Sequence, residues 1–304
     1  MDTIIVTGGA GFIGSYLVDL LIVEGYHVIV IDNLCNGNIN NINPRAVFIQ
    51  SDINSPELIN KLQQEVPSEN LKNTKAMFHY AALINANESF SKSEEYNLVN
   101  VKGTKNMLEL CHSLNIPKFI YASSGGAIYG NQKEFPCDEN HPDQPLNPYG
   151  KTKIDSENII SDFCKKYKIQ ATILRYSNVY GKRQKQGVIS IFIDKLEQNK
   201  SPLIFNKGSQ TRDFIFVKDV IDINLKALQL NKPGTYNIST GKETSINEVF
   251  KILTNLMHID IKPIIQTSDV DEVQRSCLSN KKVVETFDWK PKIKLERGLN
   301  LTTK

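Results

Sequence analysis

Short runs of β-branched residues alternate with longer amphipathic stretches through the first half of the chain. The runs at residues 3–7, 27–32, 46–51, 76–80, 118–123 and 170–175 are strand-sized. Between them, residues 12–24, 57–65, 96–114 and 149–167 read as helices. In the last of these, Ile154, Ile159, Ile160 and Phe163 mark a mostly helical apolar stripe. Strands separated by helices predict an α/β fold with a doubly wound parallel sheet, because each crossover lays a helix on the sheet. The alternation loosens after Arg175. Clusters of Pro, Gly and polar residues at 181–187, 199–212 and 231–245 predict a smaller, loop-rich second domain. No internal repeat is present, and the one biased stretch is an Asn-rich turn at residues 37–43.

A chain of 304 residues with 40% hydrophobic and 23% charged residues can bury a large core and belongs with ordinary globular proteins. The net charge of +3 is small and scattered, which argues against nucleic acid and membrane surfaces as partners. No apolar run is long enough to span a bilayer. The first strand begins at residue 3, so no signal peptide is expected. The five cysteines, Cys35, Cys111, Cys137, Cys164 and Cys277, are odd in number and widely spaced. That suits neither a disulfide framework nor a zinc site, and a reduced cytoplasmic home without a metal is expected.

The run Thr3-Ile-Ile-Val-Thr-Gly8-Gly-Ala-Gly11-Phe12-Ile13-Gly14 is a strand entering a glycine-rich turn and then a helix. Gly8, Gly11 and Gly14 have the spacing that lets backbone approach a pyrophosphate and lets the helix pack on the strand. The N–H groups and dipole at the helix start favour phosphate. The second strand ends in Asp32, whose carboxylate suits the adenosine ribose hydroxyls and repels a 2′-phosphate, favouring NAD over NADP. Asp52 and Ile53 follow the third strand, where an acid can meet the adenine amino group. Tyr80, Ala81 and Ala82 follow His79 with small residues that let a cofactor lie close. His79 itself reads as a packed strand residue. The Asn-rich turn would edge this site. The plainer reading of the glycines is a tight structural turn beside an unrelated aspartate.

Tyr149-Gly-Lys-Thr-Lys153 sets a phenol and an ammonium four residues apart on one helix face, after an Asn147-Pro148 helix start. A nearby lysine charge and a positive nicotinamide ring are expected to lower the phenol pKa, fitting Tyr149 for proton exchange with a sugar hydroxyl. Ser124 is the expected hydroxyl partner of the reacting oxygen. Ser123 is the alternative, with strand-end capping as its plain role.

These segments resemble the extended short-chain dehydrogenase/reductase family, and within it the UDP-hexose 4-epimerases. The likeness runs over essentially the whole chain, through residues 7–14, 32–36, 79–83, 88–89, 100–104, 123–130, 149–153, 174–181, 187–189 and 208–215. It implies a Rossmann-like NAD-binding domain of residues 1–175 plus about 214–239. A UDP-sugar domain of 176–213 and 240–304 would complete the fold. It also implies that Tyr149 takes the 4′-hydroxyl proton while NAD takes hydride, giving a 4-ketose that turns over before hydride returns. The implied cofactor set adds Asn33, Asn36, Asn100, Ser123, Lys153 and Tyr176. The implied substrate set is Ser124, Tyr149, Asn178, Val188, Leu203, Phe205, Gln210, Arg212, Glu272 and Ser276, with Arg212 on the diphosphate and Leu203–Phe205 beside the uracil. A plain alternative for Arg212 is an ion pair with Asp213 or Asp219. The family also implies a homodimer through the helices at 96–114 and 149–167.

Two departures sharpen the expectation. Family dehydratases carry an Asp-Glu pair where this chain has Gly125-Gly126, and the decarboxylases' glutamate is missing too, which leaves epimerisation. The diphosphate arginine expected near the end aligns with Asp269, with Arg275 as a candidate substitute. Ser276 falls at the position that gates the pocket near C2′, and its small size predicts room for an N-acetyl group. A keto-sugar-nucleotide reductase and a non-catalytic NAD sensor stay open as other readings.

Overall fold

The computed structural model describes residues 1–267 and 273–304. Seven strands form the main sheet: β1 (Thr3–Thr7), β2 (His27–Asp32), β3 (Val47–Gln50), β4 (Thr74–His79), β5 (Lys118–Ser124), β6 (Gln170–Tyr176) and β7 (Gly234–Ile238). Their order is β7-β6-β5-β4-β1-β2-β3, and every neighbouring pair is parallel. The chain builds outward from β1 to β3, then returns to β4 on the other side. That reversal opens a crevice at the carboxyl ends of β1 and β4.

Alternation along the strands explains why both faces are covered. Ile4 and Val6 of β1 join one core with Leu17, Leu21, Val28, Val30, Phe78, Val220 and Ile223. Ile5 faces the other way, into a core with Ile29, Ile31, Met77, Met107, Leu108, Phe119 and Ile160. Each such side chain, fully enclosed, contributes roughly 2–3 kcal/mol. β5 and β6 each run one residue beyond the predicted ends, bringing Ser124 and Tyr176 into the ladder.

The stretch predicted as one helix at 96–114 is helical through to Ser113, with one widened turn inside it. A short helix, Ser93–Tyr96, leads through a wide π-helical turn, Asn97–Lys102, into Gly103–Ser113. At this turn the Asn100 side chain leaves the helix to bond Leu83 and Thr152, so a wider turn accommodates it. The short helix Gly125–Tyr129 has too few residues to show a period and was not legible beforehand.

Beyond β6, β7 apart, the strands are only two or three residues long. Asn178–Tyr180 pairs with Phe214–Phe216, and Leu203–Phe205 with Ile264–Gln266. Thr211–Arg212 lies between Thr244–Ser245 and Arg275–Ser276. A third core, including Phe192, Leu196, Phe214, Val249 and Leu299, supports them. No helix among the described residues is long and apolar enough to cross a membrane.

Candidate active site

At the end of β1 the chain turns through Gly8, whose φ of +71° strains any residue with a side chain. A Cβ there would stand 2.6 Å from the Ala81 nitrogen, so the turn nests against the segment after β4. A Cβ on Gly14 would fall 2.3 Å from the Gly8 carbonyl oxygen, which lets the helix Phe12–Val23 pack directly on the turn. No side chain caps that helix. Its first-turn N–H groups, at Phe12, Ile13 and Gly14, face outward with the positive dipole end, ready for an anion.

Asp32 is buried at the end of β2. One carboxylate oxygen accepts from the Ala10 N–H at 3.0 Å, the other from the Leu34 N–H at 2.8 Å. Burial raises its pKa, and the two amides oppose that rise. Each oxygen keeps a lone pair for a ribose hydroxyl. The Asn33 amide donates to Asp52 at 2.7 Å, tying two predicted adenine-side residues into one rim, with Ile53 buried beneath and Asn36 exposed beside it. The Asn-rich turn closes onto the glycine turn: the Asn38 N–H and the Asn41 amide both donate to the Ala10 carbonyl at 3.0 Å. Uncapped helix start, close-packed glycines and strand-end carboxylate together fit a dinucleotide.

Four residues predicted to touch the cofactor use their side chains elsewhere. The Asn100 amide donates to the Leu83 carbonyl and Thr152 hydroxyl, both at 3.0 Å, and accepts from the Leu83 N–H at 2.8 Å. It is a buried staple between the β4 loop and the helix Pro148–Tyr167. The Tyr80 hydroxyl donates to Asn224 at 2.6 Å and meets the Tyr176 hydroxyl at 3.0 Å, so both phenols are held in the core behind the crevice. Ser123 donates to Glu157 at 2.5 Å. Alternation along β5 sends the Ser123 side chain to the face opposite that of Ser124. Ala81 and Ala82 stay at the crevice, half-buried.

His79 is a packed residue, as its place in the strand predicts. Its ring nitrogens lie 2.7 Å from the Thr7 hydroxyl and 3.0 Å from the Thr104 hydroxyl. Burial, with Lys153 nearby, pushes its pKa down to about 3.

The helix Pro148–Tyr167 starts as its sequence dictates. The Asn147 side chain accepts from the Gly150 N–H at 2.9 Å, and Pro148 occupies the first turn. Tyr149, Lys153 and Glu157 then follow at four-residue intervals on one face. The Ser124 side chain lies near enough to the Tyr149 phenol to draw its pKa down. Lys153 donates to the Ala122 carbonyl at 2.9 Å and the Tyr121 hydroxyl at 3.2 Å. Burial pulls Lys153 down to about 8, against the opposing pull of Glu157.

The expected lowering of the Tyr149 pKa is reversed in the protein alone. Burial pushes the phenol up to about 12, with Ser124 pulling the other way. Lys153 does not offset that desolvation, because its nitrogen is turned to the β5 groups and lies 5.8 Å from the Tyr149 ring centroid.

Gly125 and Gly126 supply no acid beside Ser124. A Cβ on Gly125 would meet a Leu278 methyl at 2.5 Å, and one on Gly126 would stand 3.5 Å from the Ser276 hydroxyl. Ser276 is buried there and accepts from the Gln132 amide at 3.4 Å.

On the substrate side, parallel register sets Ser276 opposite Arg212. Asn178, Leu203 and Phe205 are exposed, Val188 is half-buried, and the Gln210 amide oxygen is buried without a hydrogen-bond partner. Asp213 is held by Thr240 and Gly241, and Asp219 by the Lys292 and Ile293 N–H groups, so both carboxylates are engaged away from Arg212. Arg275 does not fit the substitute role. Its guanidinium forks onto Glu243 at 3.0 and 2.6 Å and stacks on Phe135 at 3.8 Å. Asp269 and Glu272 lie outside the described residues.

Sequence reasoning passed over Glu157 and Arg175, which form a buried ion pair at 2.7 Å beside the Tyr149 helix. The signal was there: a carboxylate on the Tyr149–Lys153 stripe, and an arginine inside an apolar strand.

A Rossmann-like sheet presenting a dinucleotide turn at one strand end and a hydroxyl–phenol pair two strands along defines a class, the extended short-chain dehydrogenase/reductases. The profile of the NAD dependent epimerase/dehydratase family matches residues 4–239; the chain belongs to that family, and NAD is its cofactor. It is similar to a protein of Methanocaldococcus jannaschii provisionally named as a UDP-glucose 4-epimerase, with 47% identity covering 97% of this chain and 95% of that one. Among solved structures, it is similar to the Thermotoga maritima UDP-glucose 4-epimerase with UDP-glucose, at TM-score 0.94 and 36% identity over 99% of this chain and 97% of that one. It is also similar to the UDP-N-acetylglucosamine 4-epimerase of Methanobrevibacter ruminantium in complex with UDP-N-acetylmuramic acid, at TM-score 0.91, 30% identity and the same coverage.

Proposed function

We propose that this enzyme is a UDP-hexose 4-epimerase acting through transient oxidation at C4′. The observation that carries the reading is the meeting of the Ser124 side chain and the Tyr149 phenol at the end of β5, on the same sheet edge as the glycine-rich turn. Bound NAD supplies the hydride acceptor and a positively charged ring. Tyr149 takes the proton of the sugar 4′-hydroxyl and later returns it, while Ser124 holds the same oxygen. A phenol at about 12 needs added positive charge to work near neutrality. Lys153 and the cofactor ring are its two sources. Glycines at 125 and 126 give no acid to expel a 6′-hydroxyl, which favours epimerisation over dehydration.

Arg212 suits the diphosphate, since a guanidinium bonds two phosphate oxygens at once. The exposed Leu203 and Phe205 suit the uracil, and Asn178, Val188, Gln210 and Glu272 complete the proposed substrate set. Small Ser276 beside Gly126 supports acceptance of UDP-GlcNAc/UDP-GalNAc alongside UDP-glucose/UDP-galactose. In this reading residues 1–175 with about 214–239 bind NAD, and 176–213 with 240–304 bind the UDP-sugar. A homodimer through the helices Gly103–Ser113 and Pro148–Tyr167 is part of the proposal. The rings of His112, Phe163 and Tyr167, stacked 4.1–4.4 Å apart along that partly open face, support it.

Incubating the purified enzyme with UDP-glucose, UDP-GlcNAc and UDP-glucuronate, without added cofactor, tests the function. The C4 epimer of at least one of the first two is expected. No epimer from any of the three would overturn the reading in favour of a reductase.

A further inference from the structure

Three consecutive residues at the end of β5 each meet one of three residues spaced a turn apart on the helix Pro148–Tyr167. The Ala122 carbonyl accepts from Lys153 at 2.9 Å, Ser123 donates to Glu157 at 2.5 Å, and Ser124 lies beside the Tyr149 phenol. Glu157 alone of these has no part in the chemistry above. It is 7% exposed, and so is Arg175, which lies opposite Ser123 in the register of β5 and β6. Arg175 Nε lies 3.0 and 3.1 Å from the two carboxylate oxygens of Glu157, and Nη2 donates to Oε2 at 2.7 Å. The far edge of the guanidinium reaches Asp143 at 3.2 and 3.4 Å, and its plane lies 5.0 Å from the centre of the Tyr129 ring.

A buried ion pair is a weak source of stability, because desolvation offsets most of the attraction. Its placement here has a more specific consequence. The atoms on Lys153 Nζ are neutral ones, the Tyr121 hydroxyl and Ala122 carbonyl, and the carboxylate one helical turn along from it is that of Glu157.

We propose that Glu157, clamped by Arg175 and Ser123, is a positioning residue for the reaction: it locks the helix in register over the end of β5 and sets a fixed negative charge one turn from Lys153. The proposal rests on the roles given above to Tyr149 and Lys153. Burial draws Lys153 down to about 8, and Glu157 opposes that fall, so removing its charge makes the ammonium lose its proton at lower pH. The other groups facing the pair are Arg175 and Asp143 beyond Glu157, Tyr121 and His79 from the sheet, and Tyr149 along the helix. Arg175, left unbalanced, would push Lys153 in the same direction.

The test is an NMR titration of lysine-labelled, NAD-loaded enzyme, with the Lys153 resonance identified by its loss in Lys153→Met. In Glu157→Gln, which keeps the side-chain shape, the midpoint should fall by about one pH unit or more. In Glu157→Asp, which keeps the charge, it should fall less. The alkaline limb of kcat should move with the Glu157→Gln midpoint while KM changes little. An unchanged Lys153 midpoint in Glu157→Gln overturns the proposal. If that variant fails to retain NAD, the apolar replacement Glu157→Leu/Arg175→Met serves: it removes both charges of the pair, so a smaller fall is expected, and an unchanged midpoint there too overturns the proposal. The titration needs no substrate, so its outcome is separate from that of the UDP-sugar incubation.

Discussion

The cofactor side of the cleft is made largely of backbone. Its anion site is the uncapped start of the helix Phe12–Val23, shaped by glycines whose missing Cβ atoms let the turn, the helix and the segment after β4 approach one another. The proposed sugar-nucleotide side is assembled from side chains on strands of two or three residues, drawn from segments as distant as Thr211–Arg212 and Arg275–Ser276. The first side tolerates almost no change of residue, because there is no room for one. The second can alter its ligand by exchanging a side chain while the ladder beneath it stays intact.

That contrast predicts a gradient of effects. Gly14→Ala should be the most damaging, because its Cβ would overlap the Gly8 carbonyl and force the whole turn outward. We expect a loss of about 3 kcal/mol in stability and purification without bound NAD; retention of both would break the comparison.

The cofactor side should also be the acid-sensitive side. His79 is held neutral, with its pKa lowered from 6.5 to about 3. Its contribution to stability is therefore complete above pH 6.5 and lost as pH falls towards 3. The slope is about 1.4 kcal/mol per unit, or roughly 2 kcal/mol between pH 8 and 5. Denaturant midpoints of wild type and His79→Gln at the two pH values measure it, and parallel losses in both proteins would contradict the assignment.

Across the cleft, Arg212→Lys keeps the charge and removes the two-pronged grip. KM for the UDP-sugar should rise roughly 10- to 100-fold with NAD content unchanged. A change confined to kcat would move Arg212 off the diphosphate. The smallest effect is one of selectivity: Ser276→Tyr should lower turnover of UDP-GlcNAc more than that of UDP-glucose. Equal losses would argue against Ser276 as the gate.

The same contrast governs what could be read from the residues alone. β1, β2 and the glycine turn were legible because a buried strand, a turn and a helix impose their requirements within a dozen residues. Asn147-Pro148 likewise announced the catalytic helix. The helix at 96–114 was legible but its widened turn was not, because Asn100 fits a helical pattern and the distant Leu83 that draws its side chain away leaves no local trace. Tyr80 and Tyr176 were assigned to the cofactor by position, while their side-chain directions depend on Asn224, in a helix much later in the chain. That Lys153 alone does not lower the Tyr149 pKa has a related reason. Spacing on a helix places Lys153 one turn away, but the β5 carbonyl decides where its nitrogen points.

Tyr149→Phe tests the central claim most directly, since it removes one oxygen from an otherwise intact site. The account predicts that the variant keeps its NAD and binds UDP-sugar about as tightly as wild type, while epimerisation falls roughly 100- to 10,000-fold. Near-normal turnover in that variant would contradict it.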